Sequence, residues 1–325
     1  MRLRTAFFFL FYSLYLFGQD YQKVEQIIRN YPESFSSVKE LSDKINYDFK
    51  LDEEKIRALY DWLALNIDYN SKKDVFDIGN TIIIYSTRDD KKRQENIRKE
   101  KRLKNILTTK KAICIGYSEI FKAVCDAIGI ESEIVTGYSK IYIDDIENEK
   151  NYKNHAWNVV KINNEWKLID VTWASTFIKG MPTNSRQTLY DYYFFTDPKE
   201  LILTHFPSNS KWQLLKTKVS KKDFFKTPLL YTNYFKTEIK LTDIQKGAIE
   251  IHKKKLQIYF DKIPKNETIY YLLEGNEGLK PLPIKASKNG TFIASIDYRK
   301  SQSSHVTIYA GRLPLVGFKI HPISK

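Results

Sequence analysis

Cys114 opens a stretch with helical apolar spacing, in which Tyr117, Ile120, Phe121, Val124, Cys125 and Ile128 share a face and Gly129 ends the run. A cysteine in the first turn of a helix meets unpaired backbone N–H groups and the positive end of the macrodipole. Both favour the thiolate, which is the nucleophilic form. Gly116 leaves space near that thiol. Downstream, His155 and Asp170 flank Asn163-Asn164, in a segment that reads as a β-hairpin from His155 to Trp173. A two-residue turn there makes facing positions sum to 327, so His155 and Asp170 become diagonal neighbours on one face. Diagonal pairs lie roughly 7–8 Å apart at the backbone, within reach of longer side chains. An aspartate so placed can hold one imidazole nitrogen while the other faces a thiol, which is a nucleophile, a base and an orienting carboxylate. The same residues taken singly have plainer roles: a strand histidine as a satisfied polar group, an Asp near a strand end as a turn or cap. Spacing alone does not choose between these readings.

The elements that must position these residues follow from periodicity and composition. In Glu53–Ile67 the apolar residues Ile56, Leu59, Tyr60, Leu63 and Ile67 recur at three-to-four-residue spacing, and the helical pattern extends from Gln22 to Asn70. Lys91–Lys104 is dense in charge. Ile106–Gly129 reads as an approach loop followed by the helix of Cys114, and Ile134–Tyr138 and Ile141–Ile143 read as strands. Past about Thr217 the texture changes. Ile249–Phe260, Thr268–Leu273, Thr291–Tyr298, Val306–Ala310 and Leu315–Ile320 are short and β-branched or aromatic, with turn signals at Pro264-Lys265-Asn266, Gly275-Asn276 and Asn289-Gly290. That pattern predicts a small β-sandwich of the immunoglobulin-like kind.

At the N-terminus, a basic start (Met-Arg-Leu-Arg), an apolar run from Thr5 to Phe17 and Gly18 fit a secretory signal peptide. The run is shorter than the roughly 20 residues that span a bilayer. The expected organisation is a leader over 1–18, a catalytic core over 19–215 and a β-sandwich over 216–325, in a secreted or periplasmic protein. Membrane contact would come only through the leader, if uncleaved. The two cysteines are 11 residues apart on one helix, hence roughly 16 Å, too far for a disulfide. Cys125 reads as a core residue.

At this point four segments in order resemble the transglutaminase-like superfamily, in its kyphoscoliosis-peptidase-like branch. KKAICIGYSEIFKAVCDAIGIESEIVTGYSK is similar to its nucleophile helix and following strand, and NHAWNVVKINNEWKLIDVTWAS to its His-Asp hairpin. KIRALYDWLALNIDYN resembles the helix that begins the core, and YYFFTDPKELILTHFPSNSKWQLL the tail of that branch. The resemblance covers about residues 25–215. It implies an α+β, papain-like core with the nucleophile helix packed on an antiparallel sheet, with Cys114 as nucleophile, His155 as base and Asp170 orienting it. Ala112 stands where the family often has Gly. The backbone N–H of Cys114 is the natural first oxyanion donor, and a second is sought in Asn66–Tyr69. Trp157 and Trp173 are read as packing that shapes the cleft, and His205 as structural.

The chemistry implied is attack on a protein or peptide amide to give a thioester. Water as acceptor makes the enzyme a peptidase or amidase, the favoured reading. An amine acceptor makes it a cross-linking transglutaminase, and a third reading is a non-catalytic protein-binding module of the same fold. No metal or cofactor is expected: there is no H-E-x-x-H, no paired C-x-x-C and no EF-hand loop, and the acidic run Asp144, Asp145, Glu147, Glu149 reads as a solvated loop. Nucleic acid is excluded as a partner for want of any such motif, despite a net charge of +14. Half of that charge is local: residues 88–111 hold eleven Lys/Arg against four Asp/Glu, a net of +7, a basic flank before the nucleophile.

Overall fold

The computed structural model describes residues 21–70, 85–180, 191–243, 245–287, 290–298 and 303–321. The leader expected over 1–18 lies outside them, as does Asn289 of one predicted turn. No helix among the described residues is long and apolar enough to cross a membrane.

The N-terminal half begins with helices α1 (Tyr21–Ile28), α2 (Val38–Asp48) and α3 (Asp52–Asn66). Ile56 to Ala64 of α3 are all buried, so this helix runs through the core. It therefore carries its charge in pairs: Arg57 and Asp61, one turn apart, meet at 2.7 Å, and Arg57 also reaches Asp191 at 2.5 Å. The Arg57 guanidinium lies over the rings of Tyr21, Tyr60 and Phe194. The charge-dense segment is a helix, α4 (Arg88–Thr109), capped at its start by the Thr87 hydroxyl accepting from Asp90 N–H. Its buried residues are Leu103, Ile106 and Leu107. The approach predicted as a loop from Ile106 is thus the last turn of α4, because those apolar residues dock where the charged turns before them stay solvated. A two-stranded parallel pair, β1 (Asp68–Tyr69) with β2 (Lys111–Ala112), then leads into α5 (Cys114–Ile128). Gly129 ends α5 in the left-handed conformation, φ 81°, as predicted.

The sheet of this half has five strands in the order β6-β5-β4-β3-β7: β3 (Ser132–Ser139), β4 (His155–Ile162), β5 (Glu165–Ile169), β6 (Phe194–Thr196) and β7 (His205–Pro207). Every neighbouring pair in it is antiparallel. Helix α5 packs on it with α2, α3 and α6 (Val171–Gly180), sharing one apolar core that includes Trp62, Tyr117, Phe121, Val124, Val159 and Ile169. Polar ties fix the arrangement: Asn158 Nδ2 donates to Ser118 O at 3.1 Å, and Tyr117 Oη and Ser175 Oγ both donate to Ile67 O. This is the α+β core with a helix on an antiparallel sheet that the sequence predicts.

Two local readings differ. Ile141–Ile143 is not a strand. The Asp145 carboxylate accepts from Ile141 N–H and Tyr142 N–H, and the chain enters a short 3-10 turn at Ile143–Asp145. The hairpin also ends early. Its register is as predicted, with Ile162 opposite Glu165 and Asn158 opposite Ile169, and Asn163 and Asn164 at φ 51° and 65° make the turn. After Ile169 the chain leaves the ladder and starts α6, so Thr172 and Trp173 are helical.

In the C-terminal half, α7 (Lys221–Lys226) packs through Phe224 and Phe225 on Phe206 of β7. Two sheets follow. One has six strands, β10 (Ala248–Glu250), β17 (Leu313–His321), β16 (His305–Ala310), β12 (Ile269–Leu273) and β13 (Lys280–Pro281) in that order, with β8 (Leu229–Leu230) beside β17. The other has four, in the order β14 (Ile284–Ala286), β15 (Phe292–Asp297), β11 (Lys255–Lys262) and β9 (Lys240–Leu241). Leu256, Ile258, Phe260 and Ile296 of the second share one apolar cluster with Val306, Ile308, Val316 and Phe318 of the first. These two sheets on one apolar cluster make an all-β unit, as the strand spacing predicts. The run Ile249–Phe260 is two strands rather than one, split by Lys253 and Lys254 at φ 47° and 63°.

Candidate active site

Cys114 is the first residue of α5, with Ile113 as the residue before it in extended conformation. Its thiol is half-buried, and Cys125 is buried; both are free. Burial pushes the Cys125 thiol up to about 12, which makes it inert core. Gly116 does not face the thiol. Two residues on a helix are about 200° apart, and a side chain at Gly116 would meet Ile106 at 3.0 Å and Ala112 at 3.1 Å. The glycine therefore lets α4 and β2 close onto α5, with Ala112 as the small residue opposite it.

His155 is the first residue of β4 and Asp170 follows the last residue of β5. Asp170 caps α6: its Oδ1 accepts from Trp173 N–H at 3.0 Å, and its own N–H donates to Tyr193 O at 3.0 Å. Its Oδ2 meets His155 Nε2 at 2.6 Å, with both groups buried. The sequence prediction that these two side chains meet is met, although Asp170 arrives as a helix cap rather than as a strand residue. With Nε2 committed to Asp170, Nδ1 is the nitrogen His155 has left for Cys114. Burial alone would lower His155, but the Asp170 charge and hydrogen bond outweigh it, the neighbouring Cys114 adds to the effect, and His155 is held up at about 10. Asp170 is held well below the usual carboxylate range: burial opposes this, and the two imidazoles against it overcome that opposition.

The second imidazole is His205 of β7. Its Nε2 lies 2.9 Å from the same Asp170 Oδ2 and its Nδ1 2.7 Å from Thr204 Oγ1. The sequence reading placed His205 only as a structural residue. Its partner lies 35 positions away, and a three-residue strand carries too little pattern to reveal the meeting. Aromatic rings enclose both imidazoles: Trp157 stacks on His155 at 5.8 Å, and Trp173 lies 4.5 Å from His205. These tryptophans shape the site as predicted. Gly137 makes the assembly possible. It faces His155 on one side and Pro207 on the other, and a Cβ there would sit 2.2 Å from Phe206 O and 2.8 Å from Trp157.

Within Asn66–Tyr69, expected to hold the second oxyanion donor, the Asn66 side chain is committed elsewhere, since its Nδ2 donates to Trp62 O at 2.9 Å. Tyr69 lies in β1 opposite Ala112, two residues before Cys114. Its hydroxyl is pushed up by burial and then by Cys114 and Asp170. Among the described residues, His155, Asp170 and His205 are one group whose ligand-type atoms lie within 4.8 Å of one another. Ligands on one tetrahedral metal stand roughly 3.3 Å apart, whereas here both imidazoles aim at one carboxylate oxygen at 2.6 and 2.9 Å. Hydrogen bonding between them accounts for the geometry. The acidic run is not simply solvated: Asp144 pairs with His305 at 3.0 Å, Glu147 with His321 at 2.7 Å, and Asp145 with Lys150 at 2.9 Å.

Residues 39–171 match the family model described as the transglutaminase-like superfamily. Kyphoscoliosis peptidase of Mus musculus is 30% identical over 190 residues, covering 58% of this chain and 26% of the mouse protein. The Homo sapiens protein of the same name is 29% identical over 65% of this chain and 29% of its own length. Cytokinesis protein 3 of Schizosaccharomyces pombe is 32% identical over 43% of this chain and 16% of its own length. The chain thus spans less than a third of the length of these relatives.

Proposed function

Because the chain carries a core of the transglutaminase-like superfamily, in the branch that includes the kyphoscoliosis peptidases, we propose that it is a cysteine enzyme acting on protein or peptide amides. Cys114 attacks the amide carbonyl and His155 gives its proton to the leaving amine. A thioester forms on Sγ, and water, activated by His155, releases the acid. Asp170 keeps His155 in one orientation and stabilises its charged form. The Cys114 N–H at the start of α5 is the first oxyanion donor. The observation that carries this reading is the 2.6 Å contact of His155 Nε2 with the buried Asp170, beside a half-buried cysteine at a helix start. Hydrolysis is preferred to amine transfer because two relatives, matched over 58% and 65% of this chain, bear the name peptidase. The chemistry requires no cofactor.

The leader over 1–18 would make the enzyme secreted or periplasmic, with a core over 19–215 and a β-sandwich over 216–325 offering a surface to a protein substrate. The test is iodoacetamide labelling at mildly acidic pH, read at Cys114 by peptide mass spectrometry. Fast labelling that is lost in His155→Ala supports the reading. Labelling no faster than that of a simple thiol sinks it and leaves the non-catalytic binding module.

A further inference from the structure

Asp170 Oδ2 receives two imidazoles, and the proposed chemistry uses one of them. We propose that His205 is a positioning residue: a neutral imidazole whose Nε2–H pins the Asp170 carboxylate against His155, and which is itself pinned by the Thr204 hydroxyl. The proposal rests on the acyl-transfer reading of Cys114, His155 and Asp170.

The argument is one of charge and of donors. The ring centroids of His155 and His205 are 5.1 Å apart, and both rings are buried. The titratable groups against His205 are Asp170 at the head of α6, His155 on β4 and Tyr193 before β6. Trp157 and Trp173 fill the remaining sides. One carboxylate cannot balance two buried imidazolium ions. Burial and the neighbouring His155 push His205 down, against the pull of Asp170, while His155 is pushed up. The positive charge therefore belongs to the ring that faces Cys114.

A neutral His205 whose Nε2 meets a carboxylate carries its proton on Nε2. Its Nδ1 is then an acceptor, so Thr204 Oγ1, 2.7 Å away, is the donor. The Thr204 hydroxyl has one proton, and its 3.3 Å approach to Leu201 O is the longer alternative. The chain Thr204 to His205 to Asp170 then has a donor and an acceptor at every link. With Oδ1 held by Trp173 N–H and Oδ2 by two imidazoles, the Asp170 carboxylate has a single orientation. A residue that only filled space would need none of these hydrogen bonds.

The experiment is iodoacetamide labelling of Cys114 from pH 4 to 9, read by peptide mass spectrometry on the full chain. It compares wild type, His155→Ala, His205→Phe, His205→Gln and Thr204→Val, each checked for folding by circular dichroism. His205→Phe, which fills the space without a donor, is expected to move the acid limb up by about one pH unit, or about tenfold slower labelling below it. Thr204→Val leaves the ring but frees Nδ1, and is expected to move the limb the same way by less. His205→Gln keeps an N–H near Nε2 and should label within about threefold of wild type. Should the Phe variant fail to fold, Thr204→Val and His205→Gln decide. Wild-type limbs in the folded Phe and Val variants, or a Gln variant as slow as Phe, overturn the role of His205 alone. If wild type and His155→Ala label alike, the acyl-transfer reading falls and the role of His205 with it.

Discussion

Replacing Asp170 by asparagine leaves the side-chain volume nearly unchanged, but it removes one charge and turns one acceptor into a donor. At this position neither orientation of the amide keeps every hydrogen bond that the carboxylate accepts. With its oxygen at Oδ2, facing both imidazoles, its NH2 meets the Trp173 N–H that Oδ1 now accepts at 3.0 Å. With its oxygen at Oδ1 the cap survives, but the NH2 faces the imidazole Nε2 atoms held at 2.6 and 2.9 Å, so both rings must be neutral with the proton on Nδ1, and His155 can then no longer take a proton there from Cys114. Hydrogen bonds to charged groups contribute about 1.5–3 kcal/mol each, so a loss of about 2–4 kcal/mol in unfolding free energy is expected near pH 6. The effect depends on pH. His155 is raised from 6.5 to about 10, so its contribution is complete below pH 6.5 and is lost as pH rises toward 10. Asp170 is lowered from 3.8, so its contribution is complete above that value and fades in stronger acid. The wild-type advantage over Asp170→Asn should be widest between about pH 4 and 6.5 and should shrink toward pH 10. Without the carboxylate, burial returns His155 to its neutral form, and Cys114 should label with iodoacetamide about 100-fold more slowly at pH 6. Urea titrations at several pH values and labelling at pH 6 measure both effects. A folded Asp170→Asn chain with wild-type stability and labelling at pH 6 would refute the reasoning.

Gly137→Ala places a Cβ 2.2 Å from Phe206 O, so β7 must retreat and take His205 with it. A loss of about 3 kcal/mol and slower Cys114 labelling are expected, measured by thermal melting and mass spectrometry. Arg57→Met strands Asp61, which is fully buried, and should lower stability by about 3–5 kcal/mol in urea. Adding Asp61→Leu should restore most of it, and an additive double variant would contradict the pairing. Tyr117→Phe removes one of two hydroxyls on Ile67 O, and because Ser175 still donates there at 2.9 Å the expected cost is only about 1 kcal/mol.

What was legible beforehand was what local chemistry specifies. Asn163-Asn164 supports the two positive φ values of a tight hairpin turn, and that one fact sets the pairing of β4 with β5. The apolar face from Tyr117 to Ile128 and the Gly129 cap fix the direction of α5 from Cys114. What was not legible depends on partners far along the chain. Val171, Thr172 and Trp173 favour a strand by composition, yet Asp170 caps a helix there because its carboxylate accepts from Trp173 N–H. Ile141–Ile143 has strand residues too, but Asp145 draws their N–H groups into a turn. His205 gave no local signal at all, since its role arises only where β7 joins β3 against the small Gly137. The acidic run was legible as a loop, though not its pairing with His305 and His321 of the six-stranded sheet.

The central claim, that Cys114 carries an acyl group during turnover, is tested most directly by trapping it. The full chain is incubated with a peptide pool, quenched in acid and digested, with a labelled primary amine present in a parallel sample. The account predicts an acyl adduct on Cys114 that hydroxylamine removes, that is absent in His155→Ala, and that ends as free acid rather than as amine conjugate. No adduct on Cys114 under conditions in which iodoacetamide labels it rapidly, or an adduct unchanged in His155→Ala, would contradict it.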